Sequence, residues 1–302
     1  MDKAGIEGAR VNTITEIVFD KTKPVKTTLA VSTSNSNKAR AQPGDVITVY
    51  VTFSEVTSVP TITVAGETAT VTGTGFKQAW TGTYTMADGD VEAAIVVVVT
   101  GYSDEAGNAG DDVTETTAIV FDSTHPDAPT FVITSSNSNP ALAAPADTIT
   151  VKVTFLTVMS RPTITVDSKE ATVSGTGYNT VWTATYTLKA ADTEGAVVAV
   201  VSNYQDEAGN AGAILTETST ISYDATAPVA TVVVATANAD SKRARIGDDI
   251  TATLTFTEDV SEPVVTIAGQ VAAVTNTDSS TYKNLWTATY TMADVVVTEE
   301  PI

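Results

Sequence analysis

The sequence predicts an all-β chain made of tandem copies of one sandwich, in which two sheets pack face to face. Three observations predict this fold class: a long internal repeat, short runs of alternating apolar and polar residues, and no segment with sustained helical periodicity. The chain has 302 residues and 42% hydrophobic residues, enough for two or three domains with cores of their own.

The repeat has a constant step of 102 residues, and several motifs keep it in the same order. The pattern D-x-T-x-P begins at Asp20, Asp122 and Asp224. A D-x-A-G loop begins at Asp2, Asp104 and Asp206. Trp80 and Trp182 follow the same step, whereas Trp286 is displaced by a small insertion at residues 277–282.

These motifs divide the chain into four pieces of one module. Residues 1–19 are predicted to be the C-terminal strand fragment of a preceding repeat. Residues 20–121 and 122–223 are predicted to be complete repeats, and residues 224–302 a repeat truncated at its C-terminal end. We therefore expect a piece of a longer array, cut inside a module. The alternative is a complete subunit of a head-to-tail filament, in which residues 13–19 add a strand to another copy.

Residues 20–121 contain seven predicted strands, each a short apolar run bounded by turn residues. They lie at 26–32, 46–53, 61–64, 68–72, 79–86, 93–102 and 114–121. Seven short strands in about 100 residues are typical of an immunoglobulin-like sandwich. Trp80 and Tyr84 share one face of a strand, and Trp80 is predicted to anchor the core. An odd number of strands places the two ends of a module at opposite poles, so modules are predicted to join end to end as a rod.

The charge of the chain excludes two classes of partner. The formal net charge is −20, so nucleic acids and anionic membrane surfaces are not expected to bind. The chain has no cysteine, hence no disulfide, no thiol nucleophile and no cysteine-ligated zinc. Apolar runs such as residues 95–99 are too short to span a bilayer, so no membrane span is predicted.

The sequence gives no support for an enzyme, and no catalytic residue is predicted. His125 is the single histidine, and the corresponding positions in the other repeats hold Lys23 and Ala227. No nucleophile-elbow motif and no glycine loop of the phosphate-binding kind is present. His125 is therefore expected to be a solvated linker residue.

Acidic loops recur at one pole of each module, where they are candidates for metal binding. In the repeat 20–121, the linker, the loop after the second strand, which carries Glu55, and the loop after the sixth strand return to that pole. The predicted ligands are Asp20, Glu55, Asp104 and Asn108 at the first junction, Asp122, Asp206 and Asn210 at the second, and Asp224 and Glu258 at the third. Carboxylate and amide oxygens favour Ca²⁺, which is the predicted cofactor. Thr157 replaces the glutamate at the second junction, so that site is expected to bind more weakly.

The same residues also suit ordinary turns without a metal. Gly107 and Asn108 both tolerate positive φ, as a hairpin turn requires. An aspartate before T-x-P can accept a hydrogen bond from its own backbone two residues on. Both interpretations of the acidic loops are open from the sequence.

Four motifs in fixed order give the chain a family resemblance. FSEV at 53–56, GTGFKQAWTGTYTMADGD at 73–90, the DEAGN loops and the D-x-T-x-P linkers together resemble tandem bacterial Ig-like repeats of large prokaryotic cell-surface proteins. That group includes calcium-stiffened adhesins and surface-layer proteins. The resemblance implies an extracellular location, a structural role, neighbouring modules as partners, Ca²⁺ near the linkers, and a glycan or protein ligand elsewhere in the full-length protein.

Two further surfaces admit alternatives. Phe76, Tyr178 and Tyr282 precede each tryptophan and would suit a carbohydrate- or protein-binding adhesion module, although their recurrence favours a structural role. The basic residues 38–40 and 242–245 lie at the far pole, opposite the acidic loops. They are predicted to form a solvated loop or to contact an acidic neighbouring module or subunit.

Overall fold

The computed structural model describes residues 3–7, 17–276 and 281–293, and the described chain is all-β. It forms two compact units, Met1–Asp224 and Ala225–Ile302. The predicted strand at residues 13–19 lies largely outside the described residues, but Ile17, Val18 and Phe19 are described and exposed. Within the described ranges, no helix long and apolar enough to cross a membrane is found.

The first sandwich, residues 20–121, has nine strands. They are β1 (Lys26–Thr33), β2 (Arg40–Ala41), β3 (Val46–Thr57), β4 (Thr61–Val64), β5 (Glu67–Thr68), β6 (Thr70–Thr72), β7 (Lys77–Thr85), β8 (Ala94–Thr100) and β9 (Val113–Phe121). They form two sheets with the orders β1-β3-β7-β6 and β2-β9-β8-β4-β5. All pairs are antiparallel except β2 with β9, which is parallel.

Alternation along the central strands builds the core of this sandwich. In β3, Ile47, Val49, Val51 and Phe53 are fully buried, while the residues between them are partly or fully exposed. Period two makes such a strand contribute every second side chain to the space between the sheets. Trp80 is 1% exposed and donates a 3.0 Å hydrogen bond from Nε1 to Oγ1 of Thr57, as expected of a core anchor.

The fourth predicted strand, residues 68–72, is in fact two short strands in different sheets. β5 pairs with β4 in one sheet, and β6 pairs with β7 in the other. Ala69, between them, is buried and donates its N–H to the carbonyl of Ile62. The chain therefore crosses from one sheet to the other at this residue, and the small side chain lets it pass through the core.

The second predicted strand is longer than expected, which changes the setting of Glu55. β3 continues to Thr57, with a register shift against β7 between Thr52 and Thr57. The prediction that Glu55 lies in a loop was therefore wrong, because it sits on an irregular stretch of a continuous strand. Such an irregularity bends the strand and redirects its side chains.

The second sandwich, residues 122–223, repeats this architecture. Its strands are β10 (Thr130–Ser135), β11 (Leu142–Ala143), β12 (Thr148–Ser160), β13 (Thr163–Val166), β14 (Lys169–Glu170), β15 (Thr172–Ser174), β16 (Tyr178–Thr187), β17 (Gly195–Ser202) and β18 (Leu215–Tyr223). The sheets have the orders β10-β12-β16-β15 and β11-β18-β17-β13-β14. Trp182 is buried, with Nε1 donating 3.3 Å to the carbonyl of Met159.

The second unit has one sheet of the same kind and the start of another. Its described strands are β19 (Ala230–Thr236), β20 (Asp249–Val260), β21 (Thr266–Ile267), β22 (Gln270–Val271), β23 (Ala273–Thr275) and β24 (Lys283–Thr291). The order β19-β20-β24-β23 matches the first sheet of each sandwich, and β21 pairs with β22 alone. Trp286 is 3% exposed within a core that includes Ile250 and Ala288.

Candidate metal centre and module junction

Three predicted ligands meet at the first pole of the sandwich 20–121. Carboxylate oxygens of Asp20, Glu55 and Asp104 all lie within 4.8 Å of one another. Oxygens bound to one Ca²⁺ at its usual distances lie at most about 5 Å apart, so the spacing fits a shared ion. The linker and the loop after β8 supply Asp20 and Asp104, as the topology predicted, whereas Glu55 comes from β3 and not from a loop.

Local hydrogen bonds hold the carboxylates of Asp20 and Asp104 in place. Oδ1 of Asp20 accepts 2.8 Å from the N–H of Thr22, which is the predicted turn of the linker. Oδ1 of Asp104 accepts 2.8 Å from the N–H of Asn108, and its Oδ2 accepts 2.8 Å from the side-chain amide of Asn108. Asp104 is only 2% exposed, so its carboxylate is fixed by the loop rather than by solvent.

Asn108 contacts two of the clustered residues through its amide nitrogen. Its amide nitrogen donates to Asp104, and also 3.3 Å to the backbone carbonyl of Asp20. The side chain thus ties the acidic loop to the linker. Gly107 adopts a φ of 92°, whereas Asn108 does not have a positive φ, so the turn needs left-handed backbone at the glycine alone.

Burial, like charge and hydrogen bonding shift the pKa values of two carboxyl groups in the cluster in opposite directions. Burial, and then the negative charges of Asp20 and Asp104, raise the pKa of Glu55. Burial also acts to raise the pKa of Asp104, but the hydrogen bonds from Asn108, Gly107 and Ala106 outweigh it and hold that pKa below its ordinary value. The cluster therefore combines one carboxylate stabilised as an anion with one that is disfavoured as an anion.

Replacing Glu55 with glutamine is expected to raise the melting temperature at pH 7 when divalent cations are chelated. The pKa of Glu55 is higher in the fold than in the unfolded chain, so its ionised form opposes folding, and this penalty disappears as pH falls. The gain of Glu55→Gln should therefore vanish below about pH 4, where Glu55 itself is protonated. Melting of both proteins in EDTA across this pH range measures it. A gain that does not depend on pH would contradict the argument.

The first pole of the second sandwich repeats the hydrogen bonds of the first site, but it has one carboxylate fewer. Nδ2 of Asn210 donates 3.1 Å to the carbonyl of Asp122 and 2.9 Å to Oδ2 of Asp206. Thr157 lines a cleft together with Asp122 and Asp206, where the first pole has Glu55. Burial, and to a smaller extent the charges of Asp206 and Glu92, raise the pKa of Asp122 against the opposing effects of Thr124 and Arg40.

The predicted third pair is divided between the two units. Asp224 ends the first unit, and Glu258 lies on β20 in the second. Within the described residues, Oε1 of Glu258 is buried and accepts no hydrogen bond. The proximity of the two carboxylates stays a prediction.

The acidic loop of the second sandwich also contacts the first sandwich directly. Nδ2 of Asn35 donates 2.7 Å to the carbonyl of Ala208, and Nδ2 of Asn37 donates 3.1 Å to the carbonyl of Glu207. Nη2 of Arg40 lies 2.9 Å from Oε2 of Glu207. The Arg40 contact realises the predicted alternative of a basic loop that meets an acidic module. Asn35 and Asn37 were not predicted as contact residues, and their only signal in the sequence is the repeated Ser-Asn-Ser-Asn segment.

The linker histidine has a partner. Nδ1 of His125 lies 3.0 Å from the carbonyl of Ala211, although the ring is exposed. The equivalent Lys23 forms a 2.9 Å ion pair with Asp111. Both residues hold the linker against the segment that follows the acidic loop. His125 does so by a hydrogen-bond contact and Lys23 by an ion pair.

Comparison with known proteins adds little to this picture. No protein-family model matches the chain, and no curated protein matches it. The chain is similar to the crystal structure of the I9–I11 tandem from titin, with 8% identity, a TM-score of 0.33, and coverage of 83% of this chain and 85% of that one. The assignment as tandem Ig-like sandwiches stands on the sheet orders and cores described above.

Proposed function

We propose that this chain is a non-enzymatic structural segment of an extracellular surface protein, either a repeat stalk or a surface-layer element. The observation that carries the proposal is the junction in the first unit, where Asn35, Asn37 and Arg40 of one sandwich bind the acidic loop of the next. A chain whose successive modules bind one another is suited to hold another domain away from a cell, as a stalk does, or to pack into a surface layer. The resemblance to cell-surface repeats supports the extracellular location.

We further propose that Ca²⁺ binds at the first pole through Asp20, Glu55 and Asp104. Their mutual spacing within 4.8 Å and their all-oxygen chemistry fit a hard cation. The raised pKa of Glu55 supports this, because an ion would relieve the like-charge repulsion that the cluster carries without one. With three carboxylates at a partly exposed site, an affinity of about 10⁻⁴–10⁻³ M is expected, as in extracellular modules.

The bound ion would act on the linker. Asp20 belongs to the linker, and Asp104 to the acidic loop whose counterpart in the second sandwich contacts the preceding module. An ion shared by Asp20 and Asp104 would hold the linker against the acidic loop. Binding to the folded state alone also adds stability by mass action.

Calcium titration of the wild type and of Thr157→Glu tests this proposal. Thr157 occupies the position of Glu55 beside Asp122 and Asp206, so the substitution rebuilds the missing carboxylate. Calorimetry should show one more site in Thr157→Glu than in the wild type, and Asp104→Asn should lose one. Thr157→Gln is the matched control and should add none.

The readouts that concern the structural role are melting temperature and small-angle scattering with millimolar Ca²⁺. Melting temperature should rise in the wild type, and the scattering should indicate reduced flexibility. If Ca²⁺ changes neither quantity, turn chemistry explains the acidic loops and the metal proposal fails.

A further inference from the structure

A cleft at the junction between the two sandwiches of the first unit brings a positive side chain to an acidic pole. Arg40 lines this cleft, which has a volume of about 380 Å³, together with Asp122, Thr157, Asp206 and Glu207. Nη2 of Arg40 lies 2.9 Å from Oε2 of Glu207. Arg40 belongs to the first sandwich, so the preceding module contributes a cation to the pole where the second sandwich has its acidic loop.

The backbone of the first sandwich holds Arg40 beside the linker. Within that sandwich Arg40 pairs with Val120, two residues before Asp122. The N–H of Asp122 donates 3.0 Å to the carbonyl of Ala41, the residue that follows Arg40. These main-chain contacts place the base of the arginine side chain next to the linker, and the ion pair with Glu207 directs its guanidinium into the cleft.

The charge of Arg40 acts on the linker carboxylate. Burial raises the pKa of Asp122, and the charges of Asp206 and Glu92 act in the same direction. The N–H of Thr124 and the charge of Arg40 act in the opposite direction, because both favour the ionised carboxylate. The guanidinium therefore relieves part of the repulsion at the acidic pole of the second sandwich.

The acidic poles of the two sandwiches have the same charge balance if the first one binds Ca²⁺. At the first, the carboxylates of Asp20, Glu55 and Asp104 with one divalent cation leave one net negative charge. At the second, Thr157 takes the place of Glu55, and the two remaining carboxylates with the guanidinium of Arg40 also leave one. Equivalent glutamates in the two acidic loops add the same charge to each pole.

The sequence changes the arginine and the glutamate together. Arg40 of the first repeat is followed by Thr157 at the glutamate position of the second repeat. One repeat later, the same two positions hold Leu142 and Glu258. In both pairs the chain has either the arginine or the glutamate and not both. This alternation is what a constant charge balance requires.

We propose that Arg40 is the built-in cation of the junction between the two sandwiches, and that it takes the role there that Ca²⁺ has at the acidic pole of the first sandwich. Thr157 is part of the same arrangement, because a third carboxylate would add repulsion that one guanidinium does not offset. The comparison with Ca²⁺ rests on the proposed function, whereas the role of Arg40 in holding the junction does not. The chain then has one kind of pole that responds to Ca²⁺ and another that does not.

Residual dipolar couplings of the full chain in EDTA test the role of Arg40 without any metal. Arg40→Gln should increase the relative motion of residues 20–121 and 122–223, and Arg40→Lys, which keeps the charge, should increase it less. Lys152→Gln removes the same charge from an exposed strand position and should leave the couplings unchanged. If Arg40→Gln behaves like Lys152→Gln, the proposal is overturned, whatever Ca²⁺ does.

The variant Arg40→Gln/Thr157→Glu tests whether a metal ion can replace the arginine, because it gives the second sandwich the three carboxylates of the first. Its couplings should show increased motion in EDTA and return to the wild-type values in millimolar Ca²⁺. The couplings between the two wild-type sandwiches should not respond to Ca²⁺. In calorimetry, the site created by Thr157→Glu should bind Ca²⁺ about tenfold more tightly when Arg40 is also replaced, since a positive charge is removed from beside the ion.

The outcomes distinguish this proposal from the proposed function. Wild-type couplings between the sandwiches that change with Ca²⁺ would overturn the proposal. It would also be overturned if Ca²⁺ bound to Arg40→Gln/Thr157→Glu without restoring the couplings. If Asp104→Asn loses no Ca²⁺ site, the proposed function fails at the first sandwich. The comparison of Arg40→Gln with Lys152→Gln in EDTA then decides by itself whether Arg40 holds the junction.

Discussion

Gly110→Ala is expected to lower the free energy of unfolding of the first sandwich by more than about 3 kcal/mol, at the upper end of what overpacking costs. A Cβ at this position would overlap the ring of Tyr102. That ring cannot move away easily: it is 2% exposed, its hydroxyl donates 2.7 Å to the carbonyl of Asp111, and its centroid lies 4.4 Å from that of Phe53. The second sandwich repeats the arrangement with Gly212 and Tyr204.

Hydrogen exchange measures this effect module by module, which matters because a multidomain chain does not unfold in one step. Amides of β8 and β9 should lose protection in Gly110→Ala, while those of β17 and β18 keep it. Gly89→Ala is the matched control, since its Cβ would meet nothing within 4 Å and its φ is not left-handed. Equal protection of β8 in the two variants would refute the packing argument.

Asn35→Ala is expected to loosen the junction between the two sandwiches of the first unit. Asn35 is 6% exposed, and its amide donates 2.6 Å to Asp45 and 2.7 Å to the carbonyl of Ala208. Removal leaves the carbonyl of Ala208 without this donor, at a cost of about 1–3 kcal/mol where water does not reach it, whereas Oδ2 of Asp45 still accepts 2.8 Å from the N–H of Gln42. Residual dipolar couplings should show increased relative motion of residues 20–121 and 122–223.

Asn238→Ala serves as the control for this effect. It loses the equivalent bond to Asp248 but no bond from Asn35 to Ala208, so it should reduce local stability without changing motion in the first unit. If Asn35→Ala leaves the dipolar couplings unchanged, the contacts of Asn37, Arg40 and the linker determine the orientation of the sandwiches without it.

The sequence predicted the architecture well where side chains alternate over several residues. β3 alternates in sequence and buries every second residue, so its pattern alone identifies it, and β8 is recognisable as a continuous run of β-branched residues. The prediction missed β2, and it merged β5 with β6. A strand of two or three residues has no period to detect, and β2 exists only because β9 pairs with it in parallel.

The candidate metal centre was predictable for a different reason. Topology alone brings the linker and the loop after β8 to one pole, and identical spacing in each repeat marks the same residues. The side-chain hydrogen bonds of Asn35 and Asn37 were not predictable. The acceptors of these hydrogen bonds are backbone carbonyls of another module. Every residue has such a carbonyl, so the sequence does not mark which one will accept.

The way in which the first strand and the last strand of a sandwich each pair with their neighbours has a mechanical consequence. β1 forms seven residue pairs with β3, and its hydrogen bonds lie across the direction in which a pull on the linker at Pro24 would act. At the other end β9 lies between β8 and β2, and the N–H of Asp122 still donates 3.0 Å to Ala41. Stretching therefore loads many bonds in shear at once instead of unzipping them one by one. Resistance to force is then set by the barrier to unfolding, and it can be high even in a module of ordinary equilibrium stability.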